Sequence, residues 1–416
     1  MAGRRGMVIL GAGHTGGRAA HALREAGWSG PVTLIGAEPS LPYERPPLSK
    51  GLLSGEKAVG DFALYPADDY ARLDIRHLAS ATAVEIRRGP HEVALADGAV
   101  VAYEKLLIAT GAEPRRLVVP GADLAGVQVL RDVADAELLR DRIGPGKRLI
   151  VLGGGFIGLE VASHAVSVGA EVVVVEAGPR LLMRAVPAEI EARMRARHLA
   201  ADVDLRLGRT LAAILGNGGA VTGARLDDGS EISADAVLVA IGIVPRVELA
   251  HAAGLAVDNG IVVDRHLRTE DADIFAAGDV CSFAHELYGA HVRLESWKNA
   301  EEQGPIAARN MLGGSEVAAS VPWMWSDQYE LTIQIAGFPD RAKRIVVRET
   351  GPDSLVLFHL AGDGRLVATS AVGPNSVIGR IVRLGQMMIE RGLYPDPRHL
   401  ADPAVNLKTL MREQAA

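Results

Sequence analysis

The chain has a single cysteine, Cys281, in 416 residues. One thiol excludes an internal disulfide, the dithiol centre of a disulfide oxidoreductase, and any cluster held by four thiolates. Following Gly278-Asp279-Val280, it is expected to be a small buried residue rather than a reactive one. An excess of basic charge is also lacking. The formal net charge is −7, so no basic footprint marks a nucleic-acid partner. No apolar run approaches the roughly 18 residues of a membrane-spanning helix. The 12 histidines include no His-Glu-x-x-His or comparable spacing, and no metal is expected. The opening Met1-Ala-Gly-Arg-Arg5 superficially resembles a signal peptide. Its apolar run is short and ends in glycines that a nucleotide turn explains, so a cytoplasmic chain is expected.

What is present is glycine in a particular order. Met7-Val-Ile-Leu-Gly11-Ala-Gly13-His14-Thr15-Gly16 places Gly-x-Gly-x-x-Gly after an apolar strand, and a helical run from Arg18 follows it. In a dinucleotide site Gly11 permits the tight turn, Gly13 lets backbone approach a pyrophosphate, and Gly16 lets helix pack on strand. The helix N-terminus supplies free amides and the positive end of a dipole. A second strand, Pro31–Gly36, is followed by Ala37 where the ribose-binding acid usually stands, so Glu38 is the candidate for that contact. The stiff segment Leu41-Pro-Tyr-Glu-Arg45-Pro-Pro-Leu-Ser-Lys50 suits a clamp on a flat cofactor. Segments 81–86, 91–95 and 99–103 read as short strands, with Asp97-Gly98 as a turn, and Lys105–Ile108 as a separate buried strand before Thr110-Gly111.

The pattern then repeats. Arg148–Leu152 leads into Gly153-Gly-Gly155-Phe156-Ile157-Gly158-Leu-Glu160, with a helix expected over 159–168. Glu171–Glu176 is its second strand, with Glu176 in register for a ribose diol. Ile241-Gly242-Ile-Val-Pro245-Arg246 echoes Gly111-Ala-Glu-Pro114-Arg115, so a dinucleotide-binding unit is duplicated. Arg180 and Arg184 follow Glu176 and could welcome a 2′-phosphate. Glu176 is the nearer charge, so NADH is the expected donor. A helix is expected over 299–312, kinked by Pro305. From Val321 the chain reads as a small α+β domain: strands 331–336, 344–348, 355–360 and 366–372, then a helix from about Asn375 to Gly392.

Pro42–Lys50, Ala109–Arg115, Gly153–Glu160, Gly278-Asp279, Glu295-Ser-Trp297, Pro322–Gln328 and His399–Leu407 together resemble the two-dinucleotide-binding flavoprotein reductases. The likeness is narrowest to the NADH-dependent ferredoxin reductases of aromatic-ring dioxygenases, the biphenyl-dioxygenase type, and of P450 systems. It implies an α/β fold with two Rossmann-like domains and a C-terminal α+β domain. The FAD-binding domain is expected over 1–113 and 240–320, the inserted NAD-binding domain over 114–239, and the C-terminal domain over 321–416.

By the same resemblance FAD is held by Gly11, Gly13, His14, Thr15, Gly16, Glu38, Arg45, Lys50, Val84, Thr110, Gly111, Arg131, Asp279 and Trp297. NAD is held by Gly153, Gly155, Phe156, Ile157, Gly158, Glu160, Glu176, Arg184 and Gly242. Lys50, Glu160 and Trp297 are the implied catalytic set, whereas Trp325 is read as structural. The implied reaction takes hydride from NADH to FAD and single electrons onward to a [2Fe–2S] ferredoxin. A rubredoxin, a quinone or a small oxidant is the alternative acceptor, and an NADH-sensing flavoprotein without turnover is the alternative class. No nucleic-acid or membrane partner is expected, and the chain is expected as a monomer or weak homodimer. Lys298, Arg309 and Arg344 are expected to steer an acidic ferredoxin.

Overall fold

The computed structural model describes residues 5–413, so the signal-like Met1–Arg4 lies outside the described residues. The chain divides into two compact units. The first comprises residues 1–47, 57–113 and 243–320, and the second residues 48–56, 114–242 and 321–416.

The first unit is built on a parallel sheet. Gly6–Leu10 lies between Val32–Ile35 and Val100–Ile108, with Ile75–Leu78 beyond the one and Ile274–Ala276 beyond the other. All five residues of Gly6–Leu10 are buried, which is why the strand reads as an unbroken apolar run rather than an alternating one. The two strands expected at 99–103 and 105–108 are one, Val100–Ile108. Its first half pairs antiparallel with Glu92–Leu95 and its second half parallel with Gly6–Leu10. The apolar pattern changes midway because the covering changes, and this mimics a break. Helix His14–Glu25 starts four residues before the expected Arg18, capped by Gly13. Helix Trp297–Met311 is capped by the Ser296 hydroxyl, which accepts the Asn299 amide, and it continues unbroken through Pro305. Gly304 brings this helix so close to His14–Glu25 that a side chain there would meet the Thr15 carbonyl oxygen.

The second unit contains a parallel sheet in the order 204–207, 171–176, 148–152, 236–239, 127–128. Helix Phe156–Ser167 follows its central strand and is capped by Gly155, again earlier than the expected 159. A three-stranded antiparallel sheet, Leu211–Asn217, Ala220–Leu226 and Glu231–Ser233, had no counterpart in the sequence reading. Residues 323–373 form a five-stranded antiparallel sheet with Trp323–Gln328 at one edge and Arg344–Gly351 at the other. Trp323–Gln328, which lies outside the expected strands, is the first strand of this sheet. Helix Asn375–Glu390 packs on this sheet, and Gly392 then turns the chain at φ 64°. No described helix is long and apolar enough to cross a membrane.

Candidate functional site

The glycines of each turn divide into two kinds. At Gly11, where φ is 109°, a Cβ would strike the Ala109 carbonyl oxygen, and at Gly16 it would strike that of Gly11. At Gly13 the nearest atom is Arg45 Nη2, 4.0 Å away. The second turn repeats the division. Gly153, at φ 100°, is closed off by the Ala240 carbonyl and Gly158 by that of Gly153, while nothing lies within 4 Å of a Cβ at Gly155. Outer glycines that permit close packing and a middle glycine that faces open space form a cradle for a pyrophosphate. Gly13 and Gly155 are also the N-caps of twelve-residue helices, whose first amides have no side-chain cap and lack intrahelical partners. The residues present therefore fit a dinucleotide at each turn.

Around the first cradle, buried Thr15 packs against Gly278, where a side chain would strike its hydroxyl. The Gly278 amide donates to Gln303 Oε1 at 2.8 Å, and the turn presents half-buried Asp279. His14 is buried, with Nε2 2.7 Å from Glu301 Oε2, and its ring meets Trp297 edge-on at 5.4 Å. Glu38 is tied on both oxygens: Oε1 accepts from Arg45 Nη2 at 2.6 Å and Oε2 from the Tyr43 hydroxyl at 2.5 Å. Burial opposes the Arg45 charge, but Tyr43, Glu38 and Asp279 outweigh it and raise its pKa. Thr110 donates to the Arg246 carbonyl at 2.9 Å, and Gly111 takes φ 67° at the strand end. Val84 is exposed on strand Ala83–Arg87. Arg131 falls in the second unit, where its amide donates to Asp135 at the start of helix Val133–Arg140.

Around the second cradle, Glu176 Oε2 accepts the Gly154 amide at 2.7 Å and Oε1 that of Gly178 at 2.6 Å. Phe156 and exposed Ile157 form the first turn of the following helix. A Cβ at Gly242, φ 102°, would lie 3.6 Å from Arg115 Nε and 3.8 Å from Arg184 Nη2, so two cations converge there. Arg180 does not join them. Its guanidinium donates to the Met183 and Val186 carbonyls and fastens its own loop.

A third cluster lies within the second unit. Glu160, buried on the second turn of its helix, holds Lys50 Nζ at 2.8 Å and accepts the Ser49 hydroxyl at 2.5 Å, both on Oε2. Its Oε1 accepts the Ser326 hydroxyl at 2.7 Å. Two expected catalytic residues, 110 positions apart in sequence, are thus an ion pair. Ser49, Ser326 and Tyr43 were missed as site residues. Each lies inside a segment whose likeness was noted, but nothing in the spacing of serines or tyrosines marks them.

Of the residues expected to steer a partner, Lys298 faces Glu302 at 3.6 Å and Arg309 makes a two-point ion pair with Glu316. Arg344 is exposed. No group of three metal-binding side chains occurs among the described residues.

The family described as pyridine nucleotide-disulphide oxidoreductase matches residues 5–304, and the one described as reductase C-terminal matches 323–411. The chain is 42% identical over 413 residues to the ferredoxin–NAD(+) reductase component of the anthranilate 1,2-dioxygenase system of Burkholderia cepacia, covering 97% of this chain and 98% of that protein. It is 40% identical to a rubredoxin–NAD(+) reductase of Pseudomonas putida, covering 88% of this chain and 95% of that one. It also superposes on the crystal structure of the covalent putidaredoxin reductase–putidaredoxin complex, with TM-score 0.95 and 34% identity over 100% of both chains. With both cradles in place and matches over nearly its whole length, the chain belongs to the pyridine nucleotide-disulphide oxidoreductase family, as an FAD- and NAD(H)-dependent reductase of the ferredoxin–NAD(+) reductase class.

Proposed function

We propose that this chain takes hydride from NADH and passes the electrons singly to a [2Fe–2S] ferredoxin of an oxygenase system in the cytoplasm. The doubled cradle carries this reading, since Gly13 and Gly155 each open one pyrophosphate site in a chain with two fingerprints. The chemistry supplied by bound FAD is the conversion of a hydride pair into single electrons. The chain's own residues hold and align. Gly11, Gly13, Thr15, Gly16 and Asp279 form the FAD cradle, with the Glu38–Arg45 pair beside it. Gly155, Phe156, Ile157, Glu176, Arg184 and Gly242 form the NADH site. Each Glu176 oxygen that accepts an amide keeps a second lone pair for a ribose hydroxyl. Lys50, Glu160 and Trp297 are the proposed working side chains. The domains follow as 1–113 with 240–320 for FAD, 114–239 for NAD and 321–416 at the C-terminus.

The family's name includes disulphide chemistry, for which this chain has no pair. Its one thiol is fully buried, donates to Gln303 Oε1 at 3.2 Å, and is pushed up to a pKa of about 12 by burial. It is neither a nucleophile nor an electron store at neutral pH. The electrons must therefore leave to a separate molecule.

The similar rubredoxin–NAD(+) reductase favours a rubredoxin as the second reading of the acceptor. Steady-state kcat/KM with NADH and saturating FAD separates them across a [2Fe–2S] ferredoxin, a rubredoxin, a quinone and dioxygen. The ferredoxin is expected to lead by at least tenfold. A rubredoxin or quinone in that place overturns the proposed acceptor, and no acceptor at all favours an NADH sensor.

A further inference from the structure

Tyr329 occupies a position that a hairpin normally gives to glycine. Strands Trp323–Gln328 and Leu331–Gly337 pair Gln328 with Leu331, which leaves Tyr329-Glu330 as a two-residue turn. Tyr329 takes φ 55°, in the left-handed region that a bulky side chain adopts only when its surroundings hold it there. Two side chains do so. The Arg197 guanidinium lies 3.9 Å from the ring centroid and makes a two-point pair with Glu330 at 2.7 and 3.0 Å. The hydroxyl stands 3.0 Å from His198 Nδ1.

From that hydroxyl a chain of contacts runs inward to Glu160. His198 Nε2 is 2.9 Å from Gln328 Oε1, Gln328 Nε2 donates to Ser326 Oγ at 3.1 Å, and Ser326 Oγ donates to Glu160 Oε1 at 2.7 Å. Its three inner side chains, His198, Gln328 and Ser326, are at most 1% exposed. Donor and acceptor chemistry permits one direction only. The Glu160 oxygen, in a carboxylate that faces Lys50, accepts, so Ser326 gives its proton to it and receives one from the Gln328 amide. The Gln328 carbonyl can only accept, so His198 carries its proton on Nε2, and Nδ1 is left to accept from Tyr329. Burial favours neutral His198 by lowering its pKa, and burial pushes Tyr329 up to about 12, so the outermost donor keeps its proton.

We propose that Tyr329, His198, Gln328 and Ser326 act in series to hold the Glu160 carboxylate in one orientation at the nicotinamide site, which makes His198 and Ser326 positioning residues for hydride transfer. This rests on the proposed role of Glu160. Strand Trp323–Gln328 is suited to the task because its alternation turns Ser326 and Gln328 to one face and Trp323, Trp325 and Asp327 to the other. The helix Ala188–Leu199 supplies His198 near its C-terminal end.

The test uses the FAD-loaded enzyme. Nitrogen-15 spectra of the ring report the His198 tautomer directly, and Nε2–H is expected. Ser326→Ala and His198→Phe should each lower the limiting rate of NADH-dependent flavin bleaching about tenfold, on the order of the net worth of one hydrogen bond. The dissociation constant for NAD+, measured by calorimetry, should change less than about twofold, because the loss lies in alignment rather than binding. Ser326→Thr and His198→Gln, which keep the required donor, should restore the rate. An Nδ1–H tautomer, unchanged rates in both variants, or a failure of Thr and Gln to rescue would overturn the proposal. A variant that does not fold leaves the tautomer of the wild type to decide. If Glu160→Gln reduces as fast as wild type, the role of Glu160 itself falls, whatever the tautomer.

Discussion

Glu176 closes the turn that it also serves. Its Oε2 accepts the Gly154 amide at 2.7 Å, from between the first two glycines of the second Gly-x-Gly-x-x-Gly, while Oε1 accepts that of Gly178 at 2.6 Å. One carboxylate at the end of a strand thus fixes the loop before a helix and the loop after the strand. The negative charge is held in place rather than left to a flexible side chain. Arg180, the nearest basic residue behind it, is committed to the Met183 and Val186 carbonyls.

A fixed carboxylate repels a 2′-phosphate and accepts from a 2′-hydroxyl. Wild type should therefore prefer NADH to NADPH in kcat/KM. Glu176→Ser should shrink that ratio by tenfold or more, with Arg184 and Arg115 left as the dominant charges near Gly242. Equal kcat/KM for the two nucleotides in wild type would show that Arg184 and Arg115 outweigh Glu176.

The two kinds of glycine should respond differently to a side chain. Gly13→Val meets only Arg45 Nη2 at the edge of contact, so the protein should fold, yet it should purify colourless because the side chain fills the pyrophosphate cradle. Gly16→Val would collide with the Gly11 carbonyl and should cost the fold itself. Absorbance of bound flavin and the thermal midpoint separate the outcomes. A fully flavinylated Gly13→Val protein would contradict the cradle.

Much of this was legible in the sequence, for a physical reason. A dinucleotide turn needs its glycines within a few residues of one another, so the signal is local and appears twice. The burial of Cys281 followed from how free cysteine partitions. Contacts made across the chain were not legible. Glu160 meets Ser49 from 111 residues away and Ser326 from 166. Serine carries no pattern that announces such a partner. Val100–Ile108 looked like two strands because its neighbours change from antiparallel to parallel along its length. Both helices that follow the glycine turns begin earlier than expected, because glycines of the fingerprint, which carry no apolar periodicity, fall within their first turns.

Acid should destabilise the chain through two buried histidines. Burial lowers the pKa of His21 to about 4, and it does the same to His359, whose Nε2 meets the Ser370 hydroxyl at 2.7 Å. The folded state keeps both rings neutral, while the unfolded chain protonates them near pH 6.5. Stability is therefore fully present above about pH 6.5 and falls as pH drops towards about 4, with a slope approaching 1.4 kcal/mol per pH unit for each ring. Urea midpoints at neutral and acid pH should show this fall, and His359→Gln should flatten it. A midpoint that does not change between about pH 6.5 and 4.5 would contradict the neutral, buried state of these rings.

Electrons that enter as a hydride pair are expected to leave singly to an external carrier, because the lone buried thiol of Cys281 cannot store them. The direct measurement is an anaerobic titration of catalytic enzyme and excess [2Fe–2S] ferredoxin with limiting NADH, counting ferredoxin reduced per NADH consumed. Two ferredoxins per NADH, with no change in the Cys281 thiol, is the predicted result. Consumption of NADH without reduced ferredoxin, or with Cys281 modified in proportion to turnover, would contradict the account.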